Sequence, residues 1–331
     1  MLDGQKRKIE YVRISLTDRC NLRCQYCMPA AGIEKLRHED ILTFDEVVRV
    51  SRALVSLGVR KIRLTGGEPL VRRGIVELVR ELKAIDGIEQ VVLTTNGVQL
   101  AALARPLKEA GLDGINLSLD TLDPAVFHRL TRIGSLDDAL AGLQAAREAG
   151  IRRIKINCVP LAGVNEPDIC RLADFAQRDP IQVRYIELMP IGCARTAGLR
   201  GIPTAKVRQM LEEHFGLGPM LPVQAQAGAV NGPAVCYRLP GFAGEIGFID
   251  ALEHKFCASC NRVRLTAEGF LKLCLNAKDG LDLRELLRGG ISDENLRLAL
   301  RQSIWHKPVE HHFKEAHDAS RDRRAMYQVG G

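Results

Sequence analysis

Two groups of cysteines are the residues of this 331-residue chain whose type and spacing most directly imply chemistry: Cys20, Cys24 and Cys27 near the start, and Cys257, Cys260 and Cys274 near the end. The first trio is spaced C-x3-C-x2-C and the second C-x2-C-x13-C. Three thiolates are one too few for a closed structural zinc site, and an ordinary electron-transfer iron–sulfur cluster normally takes four. A [4Fe–4S] cluster held by three cysteines keeps one iron with an open coordination position, and such an iron can bind a substrate. The alternatives are zinc sites, completed by a distant histidine for the first trio and by the nearby His254 for the second.

Arg262 and Arg264 follow the second trio immediately. Two residues apart on a strand, they point to one face and offer two guanidinium forks suited to phosphate; an exposed salt-bridged pair is the alternative. Arg13, Lys61, Arg63 and Lys155 could join them around a polyanion, although Lys61 reads equally well as a solvated strand residue. The formal net charge of +7 agrees with an anionic ligand. No GxxxxGK[ST] pattern occurs, so phosphate would be held by side chains rather than by an amide cradle. The remaining cysteines, Cys158, Cys170, Cys193 and Cys236, read as small buried hydrophobes. His311 and His312 read as solvent-facing residues of a polar tail, and Trp305 as a packing anchor.

Composition narrows the class. With 46% apolar and 26% charged residues the chain has ample material for a core, which excludes disorder as its main theme. No run of about 18 apolar residues exists, and the start lacks the apolar segment of a secretory signal, so the expectation is a cytoplasmic protein with thiols or metal ligands rather than disulfides. A basic zinc protein that binds nucleic acid is the non-enzyme alternative. Aromatics at 5% supply few stacking platforms for it, and the positive charge is not gathered in one tail or helix.

The elements that must position these residues follow a βα rhythm. Strands are expected at Tyr11–Thr17, Val59–Thr65, Gln90–Asn96, Gly114–Asp120, Arg153–Pro160 and Gln182–Met189. Thr43 and Glu46 form a capping box ahead of a helix over Phe44–Leu57, Ser135 and Asp138 suggest another ahead of Leu136–Ala149, and Gly58, Gly87, Gly111 and Gly150 mark helix ends. Strands alternating with helices imply a parallel sheet whose C-terminal ends share one rim, here carrying Thr65-Gly66-Gly67-Glu68-Pro69, Thr94-Thr95-Asn96-Gly97, Asn116-Leu117-Ser118-Leu119-Asp120, Lys155-Ile156-Asn157 and Glu187-Leu188-Met189-Pro190. Six units make an incomplete (β/α)6 TIM-type barrel with one side to cover. A Gly/Pro-rich passage from Ile191 to Pro203 marks a boundary, giving residues 1–190 as the partial barrel and 191–331 as a C-terminal domain covering its open side. That domain has one helix near Lys206–Phe215, a loop-like stretch from Gly216 to Ala234, short strands at Val235–Leu239, Glu245–Ile249, Arg262–Thr266 and Phe270–Cys274, and helices at Leu283–Leu287 and Glu294–Trp305.

CNLRCQYC resembles the cluster-binding segment of the radical S-adenosylmethionine (SAM) superfamily, whose aromatic before the last cysteine is here Tyr26, and Gly66-Gly67-Glu68-Pro69 resembles its glycine-rich SAM motif. Within the superfamily the chain resembles the GTP 3′,8-cyclase family, known as molybdenum cofactor biosynthesis protein A, through VRISLTDRC, RLTGGEPLVRR, LTTNG, INLSLD, RYIELMPIG, FCASCNRVRLT and the terminal Gly330-Gly331. The resemblance implies two [4Fe–4S] clusters, on Cys20/Cys24/Cys27 and Cys257/Cys260/Cys274, with SAM on the first and GTP at the second. It implies that Tyr26, Gly67, Ser118 and Met189 contact SAM. It also implies that Arg13, Arg63, Thr94, Lys155, Arg262, Val263 and Arg264 bind GTP, and that Arg262, Arg264 and an inserted Gly330-Gly331 tail serve catalysis. The implied reaction begins with a 5′-deoxyadenosyl radical taking the ribose 3′ hydrogen, after which C3′ bonds to C8 of guanine. The implied partners are GTP, a reductant or electron-donor protein, and cyclic pyranopterin monophosphate synthase as product acceptor, with no nucleic acid or membrane and a monomeric or homodimeric state. A radical SAM peptide-modifying enzyme is the alternative within enzymes, although the auxiliary domains of those usually carry more cysteines.

Overall fold

A computed structural model describes residues 1–216, 218–223, 230, 232–313, 315, 322 and 324–330. The first half follows the expected rhythm: β1 (Tyr11–Ser15), α1 (Phe44–Ser56), β2 (Lys61–Thr65), α2 (Ile75–Lys83), β3 (Gln90–Thr95), α3 (Leu100–Glu109), β4 (Gly114–Ser118), α4 (Pro124–Thr131), α5 (Leu136–Glu148), β5 (Arg153–Cys158), α6 (Asp168–Arg178) and β6 (Gln182–Ile186). The second half holds α7 (Thr204–Phe215), β7 (Leu221–Pro222), β8 (Val235–Arg238), β9 (Glu245–Ile249), β10 (Arg262–Leu265), β11 (Phe270–Lys272), β12 (Gly280–Asp282), α8 (Leu283–Arg288), α9 (Asp293–Trp305) and α10 (Met326–Val329). The capping box at α1 forms as expected, with Glu46 N–H donating to Thr43 Oγ1 at 3.1 Å and Thr43 N–H to Glu46 Oε2 at 2.7 Å. At α5 it does not: Ser135 is the N-cap, but its hydroxyl makes no capping bond.

One sheet runs through both halves in the order β12-β11-β10-β1-β2-β3-β4-β5-β6-β9-β8-β7. The strands β1 to β6 are all parallel, β10 joins the β1 edge and β9 joins the β6 edge, both also parallel. The C-terminal part therefore extends the partial barrel at both edges, and its short antiparallel strands β7, β8, β11 and β12 carry the sheet further.

Period-two alternation divides the faces. Val12, Ile14, Ile62, Leu64, Val91, Leu93, Ile115, Leu117 and Ile156 are fully buried in the hydrophobic core. Truncating one of them, such as Leu64 to Ala, costs ~2–5 kcal/mol through lost transfer energy and the cavity left behind. The opposite face carries Arg13, Ser15, Arg63, Thr65, Thr94, Asn116, Ser118, Asn157 and Arg184. A complete eight-unit barrel fills its interior with apolar layers, whereas this interior is polar and has room for a ligand.

Candidate active site

The loop leaving β1 carries the first trio, and its path is set by the end of β2. Gly67 N–H donates to Thr17 O at 2.7 Å and Glu68 N–H to Arg19 O at 2.8 Å. A Cβ on Gly67 would stand 2.3 Å from the Arg19 carbonyl oxygen, and one on Gly66 would stand 2.7 Å from that of Thr17. The glycines thus let β2 lie against the cysteine loop. Cys27 and Met28 N–H both donate to Cys24 O at 2.9 Å, and Leu22 N–H donates to Cys20 Sγ at 3.3 Å. Burial pushes these thiols up, Cys20 to about 11, Cys27 to about 12 and Cys24 well above its ordinary value, with the neighbouring cysteines adding to the effect on Cys24 and Cys27.

Carboxylates surround this trio. Tyr26 donates its phenolic O–H to Asp120 Oδ2 at 2.6 Å, while Val159 N–H donates to Asp120 Oδ1 at 2.8 Å. Buried Glu68 accepts from Asn96 N–H, Thr95 Oγ1 and Leu70 N–H at 2.7, 2.8 and 3.1 Å. Burial still raises Glu68 to about 7, and it raises Asp120 as well.

Cations surround the second trio. Burial alone would raise the Cys260 thiol, but Lys307 and Arg262 beside it bring it down to about 7. Arg262 lies over the Phe256 ring at 5.0 Å, and Lys307 donates to Arg262 O at 2.9 Å and to Leu273 O. Arg264 Nη1 donates to Val329 O at 3.1 Å and Gly330 O at 2.5 Å, and Arg13 Nη2 donates to Gly330 O at 3.2 Å. Gly330 has φ +77°, and a Cβ there would meet Thr65 Cγ2 at 2.6 Å, so the position demands glycine on two counts. Gly331 lies outside the described residues. The tail is pinned further back by an ion pair between fully buried Lys272 and Asp322, and by Arg324 stacked 4.6 Å over Phe270.

The parallel register sets Arg264, Arg13 and Arg63 side by side on β10, β1 and β2. Arg63 donates to Tyr11 Oη and, through Nη1, to Thr94 Oγ1 at 3.1 Å; Arg184 donates to Asn157 Oδ1 at 2.9 and 2.6 Å. Burial first, and repulsion by neighbouring cations second, lowers Arg13 to about 10, Arg184 to about 9, Lys61 to about 8 and Lys155 to about 7, with Arg264 also well below its ordinary value. Tyr11 would be raised by burial, but Arg63, Arg13 and Lys61 together bring it to about 7. A row of close guanidinium groups is unfavourable until an anion enters.

Both trios open onto one cavity of about 300 Å³, which is also lined by Tyr26, Gly67, Ser118, Met189, Arg13, Arg63, Thr94, Arg262 and Arg264. Lys155 is not among its lining residues and lies one layer deeper, in the electrostatic reach of Arg184 and Lys61. Lys61 is buried, not solvated, and donates to Val230 O at 3.1 Å. Val263 is buried on the other face of β10. The sequence reading placed Asp120 on the rim, and it lines the cavity; it missed Tyr11, Arg184, Lys307 and His311 as lining residues. Arg184 stood in plain view within a strand, with no neighbouring cation to single it out. Lys307 and His311 reach the cavity only through the turn after α9.

Three expectations are corrected. His311 is 6% exposed and lines the cavity, because the segment after α9 turns back toward Cys257, while His312 sits at the surface against Glu315. Trp305 is 57% exposed at the end of α9. Of the four scattered cysteines only Cys158 is fully buried.

The donor sets fit iron–sulfur clusters: the three thiols of each trio reach the common cavity, and among the described residues no cysteine beyond these six lines it. His254, the candidate fourth zinc ligand, has a side chain 80% exposed beside Asp250. Among the described residues no group of three or more His, Cys, Asp or Glu side chains is set to hold a single metal ion.

Comparison with known proteins agrees with this geometry. The Radical SAM superfamily matches residues 14–176 and the Molybdenum Cofactor Synthesis C family matches residues 181–313. Streptococcus suis SuiB bound to S-adenosylmethionine shares the fold, with a TM-score of 0.63 at 17% identity over 90% of this chain and 68% of that one. GTP 3′,8-cyclase of Moorella thermoacetica is 43% identical, and that of Pelotomaculum thermopropionicum 45% identical, each over 100% of both chains. Relatedness of that degree over the full length places this chain in the GTP 3′,8-cyclase family of the radical SAM superfamily.

Proposed function

We propose that the protein converts GTP to (8S)-3′,8-cyclo-7,8-dihydroguanosine 5′-triphosphate, the first step of molybdenum cofactor (molybdopterin) biosynthesis. One observation carries this reading: two cysteine trios and a row of buried guanidinium groups line a single chamber. Cys20, Cys24 and Cys27 would hold one [4Fe–4S] cluster and Cys257, Cys260 and Cys274 the other. When bound, the clusters and SAM supply the one-electron chemistry that opens the ribose C3′–H bond.

The chain's own residues bind, orient and shield. Asp120, held by Tyr26, and Glu68 give the first half a negative lining that suits SAM, whose sulfonium leaves it with net positive charge; Gly67, Ser118 and Met189 complete its wall. Arg13, Arg63, Arg262 and Arg264, with Thr94 and the deeper Lys155, meet the triphosphate and base with charge-assisted hydrogen bonds. Gly330 fixes the Arg13 and Arg264 forks through its carbonyl. The benefit is proximity: C3′ and C8 of one nucleotide are held together in a shielded chamber. In the balance the C3′–H bond and the C8=N7 π bond break, the hydrogen leaving in 5′-deoxyadenosine; a C3′–C8 bond forms, and one electron from the external reductant with one proton from solvent makes N7–H, so the product is an isomer of GTP.

The partial barrel over residues 1–190 would carry the first cluster and SAM, residues 191–331 the second cluster, and GTP would lie between them, held by Arg13, Arg63, Thr94 and Lys155 of the barrel and by Arg262 and Arg264 of the C-terminal part. The setting is the cytoplasm, with an electron-donor protein upstream and cyclic pyranopterin monophosphate synthase downstream; among the described residues no helix is long and apolar enough to cross a membrane. Anaerobic incubation with GTP, SAM and dithionite tests the reading. A GTP isomer should accumulate with 5′-deoxyadenosine; SAM cleavage with GTP recovered unchanged would reject it.

A further inference from the structure

The N-terminal segment turns back on itself before β1. Leu2 and Lys8 form an antiparallel bridge, and buried Asp3 accepts from Gln5 N–H at 3.0 Å, Arg7 N–H at 2.9 Å and Arg7 Nε at 2.7 Å. The Arg7 guanidinium, itself 7% exposed, then reaches two distant loops. Nη1 donates to Cys257 O at 3.0 Å and Val309 O at 2.9 Å; Nη2 donates to Lys307 O at 3.2 Å and Pro308 O at 2.7 Å. With Nε on Asp3, all five N–H donors of the side chain are used. Arg7 is not among the cavity's lining residues and has no part in the chemistry described above.

We propose that Arg7, oriented by Asp3, is the positioning residue of the second cluster. It ties the carbonyl of the first ligand of that trio to the segment from Lys307 to Val309, from which Lys307 reaches Cys260 and His311 reaches the chamber. A planar fork can hold four carbonyls on two loops at one spacing, which the three-donor ammonium of lysine cannot. The charge buried by this arrangement is balanced by Asp3, so the pair acts as one unit. The proposal rests on the reading that Cys257, Cys260 and Cys274 hold a cluster.

Wild type, Arg7→Lys and Arg7→Met are reconstituted anaerobically, and iron, sulfide and GTP-independent SAM cleavage are measured. Cysteine alkylation is followed site by site in the apo chains. Wild type should hold about eight irons and each variant about four. SAM cleavage should stay within about twofold of wild type while cyclisation falls about 100-fold or more. Cys257 and Cys260 should be alkylated several-fold faster, with Cys20, Cys24 and Cys27 unchanged. Variants with about eight irons and wild-type alkylation would overturn the proposal and leave the cluster reading intact. Loss of both clusters together in both variants would also overturn it, showing that Arg7 merely supports the fold. Wild type with about four irons would instead sink the reading of the second trio and the proposal with it.

Discussion

The two cysteine trios have equal numbers of thiols and opposite electrostatic surroundings. Around Cys20, Cys24 and Cys27 stand Glu68 and Asp120, and all three thiols are pushed up. Around Cys257, Cys260 and Cys274 stand Arg262, Arg264 and Lys307; burial raises Cys257, but the cations beside Cys260 pull it down to about 7. Cysteine count therefore does not distinguish the two sites; the charge of the neighbouring side chains does. A net-positive sulfonium amino acid suits the first, and a nucleotide with about four negative charges the second.

The comparison breaks most severely at the sulfurs. Cys24→Ala should abolish SAM cleavage and cyclisation together, whereas Cys257→Ser should retain SAM cleavage and lose cyclisation by more than about 1000-fold, read by separate assays for 5′-deoxyadenosine and cyclised product. Full cyclisation by Cys257→Ser would refute the division of labour.

Removing one arm of the guanidinium row comes next. Arg13→Ala should weaken GTP binding about 10- to 100-fold, the range of a charge-assisted contact worth ~1.5–3 kcal/mol, with SAM affinity unchanged in equilibrium titrations. In the carboxylate half, Asp120→Asn should do the reverse, weakening SAM about tenfold and sparing GTP, and Tyr26→Phe should do so only a few-fold.

A pH effect sharpens the same contrast. Lys155 at about 7 and Lys61 at about 8 lie below the ordinary lysine value of 10.5, so the unfolded chain holds more protons between those limits. Their cost to the unliganded fold is fully present below pH 7 and is relieved as pH rises toward 10.5. A bound triphosphate raises both values again. GTP binding at pH 8 should therefore take up protons, read from calorimetry in buffers of different ionisation enthalpy, and affinity should fall between pH 7 and 9. SAM binding should show little of either. The smallest effect is expected at Asp322→Asn, which loosens the tail by one buried ion pair and should lower cyclisation without changing iron content.

Much of this was legible in the sequence because it is local. The cysteine spacings, the capping box at Thr43 and the alternation that puts Arg262 and Arg264 on one face all act within a few residues. What was not legible depends on register and long-range return of the chain. That β10 would pair in parallel with β1, and so set Arg264 beside Arg13, is decided by packing between segments some 250 residues apart. Arg184 gained its place by pairing beside Gly247, whose missing side chain leaves room for it. His311 looked like a tail residue because its burial comes from the fold-back after α9.

The most direct test of a shared chamber uses GTP deuterated at the ribose 3′ position, with SAM and a reductant under anaerobic conditions. Deuterium should appear in 5′-deoxyadenosine in step with cyclised product, since the two halves bring both molecules together. Cyclised product formed with no matching deuterium in 5′-deoxyadenosine would contradict the account.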